Sequence, residues 1–486
     1  MLKMRLLQVT FVAIAAFSII GLAPMVAQAV PSSSAVPFMG DNPSGKIKPD
    51  GSPLQSADRP SVFSAPKKAD TFPAECPHEI KCVVVPAAYA SNNNDPGNYG
   101  NYDKANRPND MKINSIVIHD TEGSLQSVIQ AFQNPTFYAS SHYLVDTDGT
   151  IYQFVPTKDV AWHAGNWTTN EHSIGIEHVG YATQGSSGYT PAMYRSSAAL
   201  VAWLSAKYDI PRDRQHIIGH DNVQAPNPAL VTGMHVDPGP FWNWQNYMAL
   251  IGASAFPQSK NNSWHGELVT VAPTWPLSKE RVTGCWPTDK CVSSQLQPTN
   301  FVYLRAEPKS TAPLLADTVL GQGTTAINNA SAKAFYGQTF AVQDVRVDRD
   351  GIWYKIWFSG TSGWFYSPWT APAALPASGK YATPKPGHDS IPVYGRPLPE
   401  KSDYPADFTP PVGAITYPTP LPYTIKTGQR FAVMGAPVRA DHFYAWTIDS
   451  SQDTYDHTVF QGREMYVPVQ YNNRFGYVRL DDVVMK

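Results

Sequence analysis

Eight of the chain's 13 histidines fall between His119 and His235, a density that a neutral core does not need. Imidazole is the commonest zinc ligand, and a catalytic zinc takes three protein ligands while leaving one position for water. Zn2+ bound in that way lowers the pKa of the water to roughly 7. Three segments offer ligands. His119 ends the apolar run "SIVIHDT", and His220 ends "HIIGHD". "GMHVDPGPFWNW" places His235 and Asp237 two positions apart, and in an extended chain such residues point to one side. Either of them completes a three-ligand set. Glu177, in "SIGIEHV", is a carboxylate on an otherwise apolar strand. Burying it without a partner is costly, and burial raises its pKa towards the range of a general base.

These residues need a scaffold that sets several strand ends side by side. "SLQSVIQAF" (124–132) has Leu125, Val128, Ile129 and Phe132 at helical spacing, Ser124 as cap and Asn134-Pro135 as stop. "HYLVDTDGTIYQFV" reads as a hairpin around Asp148-Gly149. "TPAMYRSSAALVAWLSAKY" reads as a helix with Thr190 as cap and Pro191 in its first turn. Strands alternating with helices over 76–256 predict an α/β catalytic domain with a mixed central sheet flanked by helices. His172, His178 and His216 are read as structural or exposed, and Trp242 and Trp244 as core. "NVQAPNPALVTGM", within the 17 positions from His220 to Asp237, reads as a surface loop walling the groove.

The remaining boundaries follow from composition. Residues 1–29 carry Lys3 and Arg5, an apolar stretch and the small-residue site "AQA", which reads as a signal peptide cut after Ala29 rather than a retained anchor. The expected mature protein is secreted, extracellular or cell-wall associated, with no stable membrane span. Residues 30–75, rich in Ser, Pro and Ala, read as a flexible leader. Net charge is −2 with 16% charged residues, so no basic stripe points to nucleic acid. The four cysteines fall as Cys76/Cys82 and Cys285/Cys291; two local disulfides fit export better than a four-thiolate metal site. Beyond 257 the chain turns strand-rich, and "YGQTFAV" (336–342) recurs as "TGQRFAV" (427–433). Likewise "SGWFYSPW" (362–369) has a counterpart in "FGYVRLDDV" (475–483), so two small β-barrels are predicted. The expected order is a linker with a local disulfide at 257–295, one barrel at 296–372, a Pro-rich linker at 373–384 and a second barrel at 385–486.

Six motifs carry a family resemblance. "IVIHDT", "SSHYLVDTDGTIYQFV", "AWHAGNW", "NEHSIGIEHVG", "GHD" and "DPGPFW" occur in the order of zinc-dependent N-acetylmuramoyl-L-alanine amidases. That superfamily includes phage lysozyme-type amidases and animal peptidoglycan-recognition proteins. Over about residues 110–250 the resemblance implies cleavage of the amide between the lactyl group of N-acetylmuramic acid and L-alanine of the stem peptide. It assigns zinc to His119, His220 and Asp237 and the general base to Glu177. His235 stands where many members have Lys, which implies an oxyanion partner; with the metal on His235 instead, Asp237 would support it. His142 and His163 lie in motifs that line the substrate groove, and Asn166 and Trp167 are placed as contacts to sugar or peptide. The two predicted barrels resemble bacterial SH3-like modules, which attach secreted enzymes to the cell wall, so peptidoglycan and muropeptides are the expected partners. The alternative is a non-catalytic peptidoglycan-binding protein. A third reading is that the repeats dominate and the protein mainly anchors to cell walls; deleting 260–486 distinguishes the readings, with hydrolysis of soluble muropeptides expected to survive while sacculus binding weakens.

Overall fold

The computed structural model describes residues 71–253, 266–286, 289–410, 414, 416–448 and 455–486. The expected signal peptide at 1–29, and the leader up to residue 70, lie outside the described residues. Among the described residues no helix is long and apolar enough to cross a membrane.

Six short strands build the sheet of the α/β region: β1 (Cys82–Val84), β2 (Ser115–Ile118), β3 (Tyr143–Val145), β4 (Ile151–Gln153), β5 (Ser173–His178) and β6 (Ile217–Gly219). Their order is β1-β4-β3-β5-β2-β6. The hairpin β3–β4 is antiparallel, as "DTDGT" predicts, and every other neighbouring pair is parallel. Four helices accompany the sheet: α1 (Leu125–Phe132), α2 (Trp167–His172), α3 (Pro191–Tyr208) and α4 (Trp244–Ile251). Ser124 and Thr190 cap α1 and α3 by accepting backbone N–H bonds, and Pro191 opens α3 where no amide hydrogen is needed.

Alternation along the strands decides which residues face which layer. Ile116, Ile118, Ile174, Ile176 and Ile217 pack with Leu204 of α3 and with Trp242, Trp244 and Tyr247 around α4. The intervening residues face the opposite side. There Leu144 packs with Val128 and Phe132 of α1, while Val117 and Ile218 pack with Ala164 and Val223. Both expected disulfides are present, Cys76–Cys82 and Cys285–Cys291.

The β-rich half differs from the two barrels expected. Strands β7 (Leu268–Val271), β8 (Thr339–Asp348), β9 (Gly351–Phe358), β10 (Thr361–Pro368) and β11 (Ala374–Ala377) form one antiparallel sheet, ordered β10-β9-β8-β7-β11. The second lobe uses β12 (Tyr381–Pro384), β13 (Ser390–Tyr394), β14 (Pro420–Lys426), β15 (Phe431–Ala432), β16 (Val438–Tyr444), β17 (Thr458–Gln470), β18 (Phe475–Arg479) and β19 (Val483–Met485). These form sheets ordered β15-β12-β19 and β14-β13-β18-β17-β16. No sheet closes on itself among the described residues. Both expected linkers carry strands: 257–295 supplies the fully buried β7, and 373–384 supplies β11 to one lobe and β12 to the other. "LVTV" is apolar enough to be a buried strand, but so short that only its pairing partners reveal it.

The sequence repeat is a repeated turn. Gly337 and Gly428 both adopt the left-handed region, at φ +86° and +87°. The following glutamines accept equivalent backbone N–H bonds, Gln338 from Phe335 (2.8 Å) and Gln429 from Lys426 (2.9 Å). Their amide groups then cross between lobes: Gln338 Nε2 donates to the Asn473 carbonyl and Gln429 Nε2 to the Gly360 carbonyl, each at 2.6 Å.

Candidate metal centre

Strand register places the site. Ile118 of β2 pairs with Ile176 of β5 on one side and with Gly219 of β6 on the other. The next residue on each strand is therefore His119, Glu177 and His220, forming one row at the carboxyl ends of three parallel strands. All three point away from α3 and α4, by the alternation that sends the isoleucines towards them.

Asp237 joins this row from the opposite wall. Asp221 N–H donates to the Asp237 carbonyl at 2.8 Å, tying the residue after His220 to the residue expected to complete the set. The Tyr189 hydroxyl lies 2.5 Å from Asp120 Oδ2 and 2.8 Å from the Pro238 carbonyl, pinning the chain after His119 to the chain after Asp237. Asp237 Oδ2 then sits 3.1 Å from His119 Nδ1, and its Oδ1 sits 3.1 Å from His220 Nδ1 and 3.5 Å from His235 Nδ1. Glu177 Oε1 lies 4.0 Å from His119 Nδ1.

The donor set suits a metal ion. Ligand atoms of His119, His220 and Asp237 all lie within 4.8 Å of one another on buried side chains. Both ring nitrogens of His220, Asp237 Oδ1 and Glu177 Oε2 are buried without a well-formed hydrogen bond. Orphaned buried polar atoms of this kind ask for a partner, and two imidazoles with one carboxylate match the catalytic zinc pattern. The charges divide in the same sense. Burial raises the Glu177 carboxyl well above its usual range, with Asp237 and Asp120 adding to it. Burial acts on Asp237 too, but His220 and the close approach of the His119, His220 and His235 imidazoles outweigh it and hold its carboxyl well below the usual range. Burial takes His220 down to about 4 despite Asp237, so its ring is neutral, as a metal ligand must be.

His163 faces this cavity and supports a ligand. Its Nδ1 lies 3.0 Å from His119 Nε2, and its Nε2 lies 3.2 Å from Ser173 Oγ. Asp237, His119, His163 and Ser173 thus form a chain that fixes the His119 ring. Gly175 makes room for it, because a Cβ there would sit 2.5 Å from the His163 ring. The cavity measures about 320 Å³, and beside His163 and His235 its walls include Trp286 and Asn328 from the β-rich half.

Three expected groove residues lie elsewhere. His142 is fully buried beneath His163, with Gly175 N–H on its Nδ1 at 3.1 Å and its Nε2 at 2.8 Å from Arg107 Nη2. Asn166 caps α2 and donates to the carbonyls of Gln224 (3.0 Å) and Gly395 (2.9 Å). Trp167 is enclosed against Phe443 and donates its indole N–H to the Phe443 carbonyl at 2.9 Å. In each case the partner is more distant in sequence than a local motif can reveal. His178 bridges the His119 carbonyl (2.8 Å) and Ser197 (2.7 Å), and His172 pairs with Asp441 at 3.1 Å. The loop after His220 is only partly a surface loop, since Ala225 and Val231 are buried within the apolar core of the second lobe. Sequence reasoning missed Asp120, Tyr189 and Trp286; "HDT" and the disulfide pair were the only signals near them.

Comparison with known proteins gives the same region. A family model described as N-acetylmuramoyl-L-alanine amidase matches residues 109–240. N-acetylmuramoyl-L-alanine amidase A of Achromobacter lyticus is 32% identical over 168 residues, covering 32% of this chain and 90% of its own. The 1,6-anhydro-N-acetylmuramyl-L-alanine amidase AmpD of Salmonella typhimurium is 32% identical over 173 residues, covering 31% and 86%. A solved AmpD structure is 28% identical and covers 35% of this chain and 94% of its own, with a TM-score of 0.27. With 32% identity over an aligned stretch that spans 90% of the Achromobacter lyticus relative's own length, the chain belongs to the N-acetylmuramoyl-L-alanine amidase family.

Proposed function

We propose that this chain is a secreted, zinc-dependent peptidoglycan amidase that hydrolyses the bond between the lactyl group of N-acetylmuramic acid and L-alanine of the stem peptide. The observation that carries it is the row of His119, Glu177 and His220 at adjacent strand ends, with Asp237 closing the group to within 4.8 Å. His119, His220 and Asp237 hold the metal. Zinc there supplies a Lewis acid for the carbonyl and lowers the pKa of a coordinated water. A cation at those ligands opposes the burial that raises Glu177, returning its carboxylate to service as a base. Glu177 takes the proton from the attacking water and returns it to the departing L-alanine amine. His235, half-buried beside Asp237, donates an N–H to the oxyanion that forms. A complete ligand set with its base favours catalysis over a peptidoglycan-binding role alone. The β-rich lobes add attachment to wall peptide or glycan in this reading, which rests on the SH3-like sequence motifs and not on a closed barrel.

Two measurements on the full chain test it. Mass spectrometry of products from a defined muropeptide should show free lactyl carboxylate and an intact peptide starting at L-alanine. Metal analysis should find one zinc per chain, whose removal by chelation abolishes cleavage. Cleavage at any other bond, or turnover undiminished in the metal-free protein, contradicts the assignment.

A further inference from the structure

The turn between β17 and β18 of the second lobe reaches the metal centre from a point over 230 residues further along the chain. Arg474 is 3% exposed, and its Nη2 donates to the carbonyls of Met234 (3.2 Å) and His235 (2.8 Å). Those residues lie three and two positions before Asp237. Asn473 Nδ2 donates to the Asp221 carbonyl at 2.8 Å, next to His220, and the Asn473 carbonyl accepts from Asn222 Nδ2 at 3.2 Å. One turn therefore grips the chain just after one metal ligand and just before another.

The gripped segment needs such a partner. Residues 234–236 belong to no helix or strand, so no ladder fixes them. They end the long excursion from His220 to Asp237, and their conformation sets where Asp237 and His235 point. The turn itself is braced: Arg474 N–H donates to Asn472 Oδ1 at 2.9 Å, and Gln470 Nε2 donates to the Asn472 carbonyl at 2.7 Å. A guanidinium offers several donors in a rigid plane, which suits holding two carbonyls at once.

We propose that Arg474 is a positioning residue for the metal centre, which makes the second β-rich lobe part of the amidase site. This rests on the metal reading above. Partners that orient ligands typically control metal affinity or activity by 10–100-fold.

The test uses full-length wild type, Arg474→Ala, Arg474→Lys and a control, Phe408→Ala, in the same lobe but in an apolar cluster separate from the one beside the turn. Zinc affinity is read by competition with a chromophoric chelator, alongside melting of the metal-free protein and kcat and KM on a defined muropeptide. Arg474→Ala should bind zinc at least about tenfold more weakly and lose kcat more than it gains KM, and Arg474→Lys should recover part of both. Phe408→Ala should lower the melting temperature with zinc affinity unchanged. If the Ala variant does not fold, Arg474→Gln, which keeps N–H donors without the charge, takes its place in the comparison. Zinc affinity equal to wild type in Arg474→Ala, or a loss no greater than in the control, overturns the proposal. The wild-type arm reports separately on the metal reading: no zinc uptake there overturns that reading and this proposal with it.

Discussion

Removing everything after residue 253 should unfold or loosen the α/β region rather than release an independent enzyme. Three large side chains of that region are covered by the β-rich half. Trp167 packs with Phe443 and Ala445, Phe241 with Val282, Phe301 and Phe335, and Val231 with the core of the second lobe. Burying one such side chain fully is worth roughly 1.5–3 kcal/mol, so uncovering three forfeits about 4–9 kcal/mol, or about half that if their own region still shields them in part. Buried polar groups lose partners too: Arg214 its bond to the Tyr336 carbonyl (3.1 Å) and Asn166 its bond to Gly395. Each stranded group costs about 1–3 kcal/mol. The sum is comparable to the whole stability of a typical domain, about 5–15 kcal/mol. Urea unfolding followed by near-UV circular dichroism, with hydrolysis of soluble muropeptides measured in parallel, decides the matter. The expected result is a lost or broadened transition and little turnover. A truncated chain that unfolds cooperatively within about 1 kcal/mol of the full chain, with undiminished turnover, refutes the reasoning. The expected outcome is opposite to the one the modular look of the sequence suggests, that muropeptide hydrolysis survives deletion of 260–486.

Glu177→Gln should keep the zinc and the melting temperature but lower kcat by about 10²–10⁴-fold, the range of general-base contributions; steady-state kinetics with metal analysis checks both halves. Gly175→Ala should force the His163 ring away from His119 and weaken zinc binding by roughly 10–100-fold, read by chelator competition. The contact between α2 and the second lobe should depend on pH. Burial lowers the His172 pKa, but Asp441, with Glu171 nearby, outweighs it and raises the value to about 9. Because this lies above the usual value of about 6.5, the stabilisation is full below pH 6.5 and is lost as pH rises through 9. The urea-stability difference between wild type and Asp441→Asn should therefore shrink across that interval, and a difference constant from pH 6 to 10 would contradict it.

How much of this was legible in sequence depended on how local the cause was. His119 and His220 could be found because each ends an apolar strand, and Glu177 because a charge on such a strand stands out. The helix caps Ser124 and Thr190 and the Asp148-Gly149 turn were equally local, and the structure has each where sequence placed it. His142, Asn166 and Trp167 misled because their residue types suit a sugar groove while their burial comes from Arg107, Gly395 and Phe443. The strand at Leu268–Val271 falls within the expected linker because four residues carry too little periodicity to separate strand from connection. Arg474 was invisible for a related reason: nothing in "YNNRFGY" says which carbonyls its guanidinium meets.

The crossed glutamine bonds between the two lobes have the logic of a symmetric homodimer. A group on one copy binds the other copy, and the matching group returns the bond, as across a two-fold axis. A single chain holding both copies is free of the constraint that binds a true dimer, where every change occurs twice. Gly360-Thr361 and Asn473-Arg474 occupy matching places before the paired "SGWF" and "FGYV" segments, yet only the second carries an arginine. Both matching places serve the joint between the lobes, and the second also reaches the carbonyls of Met234 and His235.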